Sequence, residues 1–107
     1  MQYEETVLYV TAKDVQDAER MGRVLVAKRL AACVNILGGM RSVYRWKEKI
    51  EVGHEAVLLV KTTRKAAKRA LEMIVELHEN EVPCVMSFPV VDGHGPFLHW
   101  IHAQVGE

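Results

Sequence analysis

Arg29-Leu30-Ala31-Ala32-Cys33-Val34-Asn35-Ile36, followed beyond the Gly38-Gly39 pair by Ser42-Val43-Tyr44-Arg45-Trp46, is the stretch that decides the fold. Its first part sets a half-apolar segment with one thiol directly behind an amphipathic helical pattern. Its second part alternates: Ser42, Tyr44 and Trp46 fall on one face, Val43 and Arg45 on the other, which is the period-two signature of a strand. Two aromatics on one strand face need a large covering surface. In a chain of 107 residues, that surface is predicted to come from a neighbouring subunit.

Outward from this stretch the remaining elements fall into place. Upstream, Thr6 to Thr11 is a short apolar run rich in β-formers and predicts a first strand. Asp14 is placed to cap a helix whose inner face is Val15, Ala18, Gly22, Leu25 and Val26, with Gln16, Asp17, Glu19, Arg20 and Arg23 on its polar face. The second strand starts near Ala32, bends at the glycine pair, and resumes from Met40 to Trp46. Lys47-Glu48-Lys49 forms a hairpin tip, and the third strand returns through Ile50 and Val52 into Ala56-Val57-Leu58-Leu59-Val60. That run is apolar on both faces, which puts it at the centre of a sheet. Thr63 caps a second helix with the stripe Ala67, Ala70, Leu71, Ile74 and Leu77, ending near His78-Glu79-Asn80. Pro83 opens a fourth strand, Cys84 to Val91, which Pro83 and Pro89 confine to a sheet edge. After a turn at Gly93 and Gly95, Pro96 fits the first turn of a last helix carrying Phe97, Trp100, Ile101 and Val105.

The order β-α-β-β-α-β plus a terminal helix predicts an α+β fold, a ferredoxin-like βαββαβ sandwich. The long hairpin between the second and third strands, Met40 to Val52, would project from it as an arm that packs on a neighbour. One domain, residues 1–107, accommodates all of this. A hydrophobic content of 50% points to further burial in an oligomer. Fourteen Lys+Arg against 14 Asp+Glu leave no net field to hold a polyanion, which argues against nucleic acid and against a basic membrane-surface module. The apolar runs are too short to span a bilayer, Met1-Gln2-Tyr3-Glu4-Glu5 does not read as a signal peptide, and two cysteines suit a reducing compartment. The predicted location is therefore the cytoplasm.

Several side chains carry candidate chemistry. His78 and Glu81 are spaced so that both could face one point as the second helix ends, an imidazole and carboxylate pair suited to copper or zinc. The plainer account is that His78 complements the negative end of the helix. Cys33, between Ala32 and Val34, reads as a small core hydrophobe, and Cys84 follows Pro83 on the other edge of the sheet, which argues against a disulfide within one subunit and leaves a meeting between subunits open. His99 and His102 stand one turn apart and, with His94, form a second metal candidate, although solvent-facing histidines opposite the Phe97, Trp100, Ile101 stripe are the plainer account. Lys61 ends a central strand, where it either snorkels out or serves a cleft together with Glu55, Tyr44 and Trp46. Pure interface packing is the alternative for the two aromatics.

Taken together the chain resembles the CutA family, named for divalent-cation tolerance. The matching residues are Tyr9-Val10-Thr11, Leu25-Val26, Arg29-Leu30-Ala31-Ala32-Cys33-Val34-Asn35, and Ser42, Tyr44 and Trp46 at alternate positions. They continue with Glu55, Lys61-Thr62-Thr63, His78, Glu81, Pro83 and Phe97-Leu98-x-Trp100-Ile101. The resemblance implies a homotrimer joined edge to edge through the long hairpins, with an architecture like that of the PII signalling proteins. It also implies an intersubunit cleft, to which Tyr44, Trp46, Glu55, Lys61 and Cys33 are assigned. Copper or another divalent ion is the implied ligand, with no obligatory cofactor. The sequence departs from the pattern in two places: Glu79 and Asn80 replace a Pro-Tyr pair after the histidine, and Val10 stands where some members carry a cysteine proposed to bind copper.

The leading functional expectation is a non-enzymatic trimeric binding or signalling protein that supports tolerance of divalent metals. A small-ligand sensor or enzyme using the cleft, with His78 as acid or base and Lys61 gripping an anion, is the alternative. No nucleophile with an adjacent base supports the enzyme. A ferredoxin-like RNA binder would need aromatics in the middle of the third strand, where Ala56 to Val60 offers none.

Overall fold

Strand and helix periodicity resolves into seven elements over residues 2–106, the residues described by the structure, a computed structural model. They are β1 (Glu5–Ala12), α1 (Val15–Ala27), β2 (Cys33–Trp46), β3 (Lys49–Thr63), α2 (Arg64–Leu77), β4 (Val85–Pro89) and α3 (Gly95–Gln104). The sheet order is β2-β3-β1-β4 with every neighbouring pair antiparallel, which puts β3 inside and β4 at an edge as the sequence predicts. Register pairs Leu8 with Val60 and Val10 with Leu58, so these four side chains share one face. All four are fully buried, packed with Met21 and Leu25 of α1 and Ala70 and Ile74 of α2. Gly22 of α1 faces Val34 of β2, where a Cβ would make an ordinary contact at 3.4 Å with Val34 Cγ1.

Both predicted caps form: the Asp17 N–H donates to Asp14 Oδ1 at 2.7 Å and the Ala66 N–H to Thr63 Oγ1 at 3.1 Å. The helical faces differ from expectation in detail. Asp17, placed on the polar face by the sequence, is only 6% exposed. Its carboxylate accepts from Arg20 Nε at 3.0 Å, and Arg20 Nη2 donates onward to the Leu77 carbonyl at 2.8 Å, so the ion pair ties α1 to the last turn of α2. Val26, placed inside, is 42% exposed because α1 overhangs the free edge of β2 at that end, above Val34 and Ile36. On α2 the deepest line is Ala66, Ala70 and Ile74, with Ala67 and Leu71 half-buried beside it.

α1 ends in a Schellman motif: the Leu30 N–H donates to the Leu25 carbonyl at 2.9 Å and the Arg29 N–H to Val26 at 3.0 Å. The left-handed residue is Arg29, at φ 58°, where glycine is usual. Its guanidinium caps the far end of α3, Nε donating to Gln104 O at 3.1 Å and Nη2 to Ala103 O at 3.0 Å.

β2 and β3 continue past the body of the sheet as the predicted arm. Pairing shifts between Leu37 and Met40, where Gly39 takes a positive φ of 71°, and then runs unbroken to Trp46 opposite Lys49. The tip is a two-residue turn, with Lys47 and Glu48 both at positive φ. β4 is shorter than the predicted Cys84–Val91 because its ladder with β1 runs only from Val10–Val85 to Thr6–Pro89, single backbone bonds at Cys84 and Val90 closing its ends. Ile101 of α3 and Val105, its C-cap, bury against Ala32 and Ala66, whereas Phe97 and Trp100, expected in the same apolar stripe, stack on each other and stay exposed. The sheet face opposite α1 and α2 is apolar and only partly covered: Tyr9 stacks on Phe88, Phe88 is 47% exposed and Leu37 59%.

Candidate ligand-binding cleft

The arm carries its aromatic face toward the connection between α2 and β4. Tyr44 and Trp46 of β2 and Glu55 of β3 meet Asn80, Glu81, Val82 and Cys84 around a cavity of about 360 Å³. The glycine bulge makes this possible. It restores the alternation so that Met40, Tyr44 and Trp46 continue the open face of the sheet, with Tyr9 Oη 3.6 Å from Met40 Sδ marking the junction. Glu55 is half-buried and Glu81 exposed, and among the described residues neither carboxylate has an ion-pair partner. No lysine, arginine or histidine lines the cavity. Its chemistry is two aromatic rings, two uncompensated carboxylates, one amide and one free thiol.

The lip formed by residues 80–84 is held from behind. His78 caps α2, its N–H donating to Ile74 O at 2.9 Å. The ring then bridges two segments, Nε2 lying 2.6 Å from the Thr11 carbonyl and Nδ1 accepting from the Asn80 N–H at 3.1 Å. A carbonyl can only accept, so the ring proton sits on Nε2 and both nitrogens are engaged within the chain. His78 and Glu81 therefore do not present a ready pair of ligands: one pins the lip and the other lines the cavity. Beside them Glu79 receives Lys13 Nζ on both carboxylate oxygens, at 3.1 and 3.2 Å, and this contact holds the Lys13 ammonium above its ordinary pKa of 10.5. Among the described residues, no three His, Cys, Asp or Glu side chains gather into a metal-holding group.

The other residues assigned to the cleft lie elsewhere on the protomer. Cys33 and Lys61 pair across β2 and β3 near the C-terminal end of β3, well along the strand from Glu55 at its middle, and Lys61 Nζ sits 5.3 Å from the centroid of the Phe97 ring. The five assigned residues thus form two groups: Tyr44, Trp46 and Glu55 on the arm, Cys33 and Lys61 beside α3. His94 precedes α3 as its N-cap, His99 is exposed, and His102 Nε2 lies 2.7 Å from Glu5 Oε2, joining α3 to β1. The three histidines do not converge. Both cysteines are free thiols. Asn80, Val82 and Cys84 carry no periodicity of their own and were not expected in the site; the nearest signal is their position directly after His78, between the helix and an edge strand.

Comparison with known proteins places this geometry. Residues 6–104 match the family described as CutA1 divalent ion tolerance protein. The chain is 39% identical to Protein CutA of Mus musculus across 92% of its own length and 55% of that protein's, so it spans about half of the mouse relative. It is 36% identical to the divalent-cation tolerance protein CutA of Thermus thermophilus across 95% of the chain and 99% of the relative. The solved CutA1 of Shewanella sp. SIB1 superposes with a TM-score of 0.96 at 29% identity, covering 100% of both chains. The Thermus thermophilus structure gives 0.91 at 36% identity, over 95% and 99%.

Proposed function

The chain belongs to the CutA1 divalent ion tolerance protein family, and from that premise we propose that it acts as a cytoplasmic homotrimer that supports tolerance of divalent cations by binding its ligand in clefts between subunits. The observation that carries this reading is the division of the cleft residues into two groups along the β2–β3 pair, Tyr44, Trp46 and Glu55 on the arm side and Cys33 and Lys61 near the far end of β3. Both groups can line one space only when different protomers supply them. The exposed apolar sheet face and Trp46, 44% exposed, supply the surface for such an assembly.

Within the cleft Glu55 and Glu81, which have no ion-pair partner within the protomer, offer carboxylate donors to a cation, and the Cys84 thiol adds a soft donor suited to copper or zinc. His78 would join a metal only by releasing Thr11 or Asn80. The protein works by binding, without an obligatory cofactor or enzymatic step, and passes occupancy on through the arms in the manner of a PII-like signalling trimer. The aromatic walls favour a second reading, in which the cleft is a sensor for a small organic ligand.

Light scattering tests the assembly. The expected mass is three times the 12.1 kDa chain, and a monomer at micromolar concentration would overturn the proposal. Calorimetric titration of zinc and copper into the parent, Glu81→Gln and His78→Ala tests the site. Weaker binding in Glu81→Gln is expected, and equal affinity in parent and variant would remove Glu81 from it.

A further inference from the structure

The two cysteines of the chain stand on the two free edges of the sheet, Cys33 at the start of β2 and Cys84 directly before β4. Val34, Ile36 and Val85 pack on the core, so by strand alternation Cys33 and Cys84 turn toward the open face. Each is a half-buried free thiol outside both core clusters. Three strand spacings of about 4.8 Å separate the two edges by about 14 Å, whereas a disulfide needs Cα atoms within about 7 Å. A protomer cannot join its own two thiols.

A threefold ring changes what each edge meets. Every protomer in such a ring touches its two neighbours through two different surfaces. Joined edge to edge, the β2 edge of one protomer faces the β4 edge of the next. The cleft gathers the same pair: Cys84 lines it with Tyr44, Trp46 and Glu55 of one protomer, and Cys33 enters beside Lys61 of the other. Each cleft therefore receives one thiol of each kind.

We propose that Cys33 of one protomer and Cys84 of the next close a disulfide across the cleft under peroxide, a redox lock repeated at all three interfaces. This rests on the trimer and intersubunit cleft proposed above. One thiol attacks hydrogen peroxide; the O–O bond breaks, leaving a sulfenic acid and one water. The second thiol displaces the sulfenic hydroxyl as another water, and the S–S bond forms. The two sulfurs together lose two electrons to the peroxide, and their protons leave in the waters. Exchange with a reducing thiol such as glutathione reopens the bond. The lock consumes the Cys84 thiol, so the oxidised cleft keeps its carboxylates and loses its soft donor.

The test is a denaturing gel without reductant, run on protein treated with hydrogen peroxide and quenched with N-ethylmaleimide. Bands at two and three times the 12.1 kDa chain are expected, formed at a rate independent of protein concentration and collapsed by dithiothreitol. Cys33→Ser and Cys84→Ser should each remain single chains. Co-expressed, the two variants should give a covalent dimer and no covalent trimer, because a mixed ring holds only one complete thiol pair. Peptide mapping of the oxidised parent reads the Cys33–Cys84 link directly and needs no variant. Covalent dimer in either variant alone would overturn the inference, since like thiols would then be meeting. So would a parent that light scattering shows to be a trimer but that peroxide leaves unlinked, a result that keeps the assembly and removes the lock. A monomer by scattering removes both.

Discussion

Arg29 shows how one side chain can hold a conformation that its own backbone disfavours. A non-glycine residue in the left-handed region costs about 1–2 kcal/mol. Its two guanidinium bonds to Ala103 and Gln104 offset that cost by tying the end of α1 to the end of α3. Arg29→Ala keeps the strain and loses both bonds, so it should destabilise by about 1–3 kcal/mol in urea unfolding. Arg29→Gly loses the same bonds but relieves the strain, and should fall between the parent and the alanine variant. Equal stability of the two variants would show that the left-handed backbone carries no cost here. Lys13 gives a residue-level prediction in pH. Its folded pKa lies above the ordinary 10.5 because Glu79 hydrogen-bonds and attracts it. The stabilisation is therefore fully present below 10.5 and is lost as pH rises through the raised value. The stability difference between parent and Lys13→Met should be seen at neutral pH, shrink with added salt, and close at strongly alkaline pH. A difference that persists there would mean that Lys13 acts through packing.

At the scale of elements, period and punctuation carried most of the fold. Alternation at Ser42, Tyr44 and Trp46, the doubly apolar run Ala56–Val60, and the caps at Asp14 and Thr63 are each found where local chemistry puts them. What local chemistry could not say is what lies opposite. Val26 is outside because α1 overhangs an edge, Asp17 is inside because Arg20 and the α2 terminus meet it, and β4 ends where its ladder with β1 thins to single bonds at Cys84 and Val90. The hairpin tip is another case in which the element overrides its residues. Its turn needs positive φ at both central positions, and Lys47 and Glu48 occupy them without being glycine or asparagine. Glu48→Gly removes about 1–2 kcal/mol of strain against about 0.4–1 kcal/mol of added unfolded-state entropy. A net stabilisation of about 0.5–1 kcal/mol is expected in denaturant unfolding. A destabilised variant would place the strain elsewhere in the arm.

For the whole molecule, the residue types of the cleft are readable in the sequence but their grouping is not, because grouping depends on which protomer supplies each one. Tyr44 and Trp46 on one strand face announce a missing surface, whereas nothing local separates Cys33 and Lys61 from Glu55, which shares their strand pair. Assembly is also where stability should be concentrated. The protomer leaves Leu37, Trp46, Phe88 and Trp100 partly uncovered, so in a trimer further apolar burial would be intermolecular, and unfolding would be coupled to dissociation. Reversible melting should then shift to higher temperature as protein concentration rises, and the transition should lie well above the range of ordinary single domains of this length. Trp46→Ala removes one aromatic per protomer from the proposed interface, where truncation of a buried aromatic costs about 3–5 kcal/mol. The variant should therefore dissociate at concentrations where the parent stays assembled, while its far-UV circular dichroism remains that of a folded α+β chain. Scattering and melting read at the same dilutions decide the point. A concentration-independent melt for the parent, with Trp46→Ala melting alike, would place the stability within the protomer and leave the aromatic arm face with some role other than assembly.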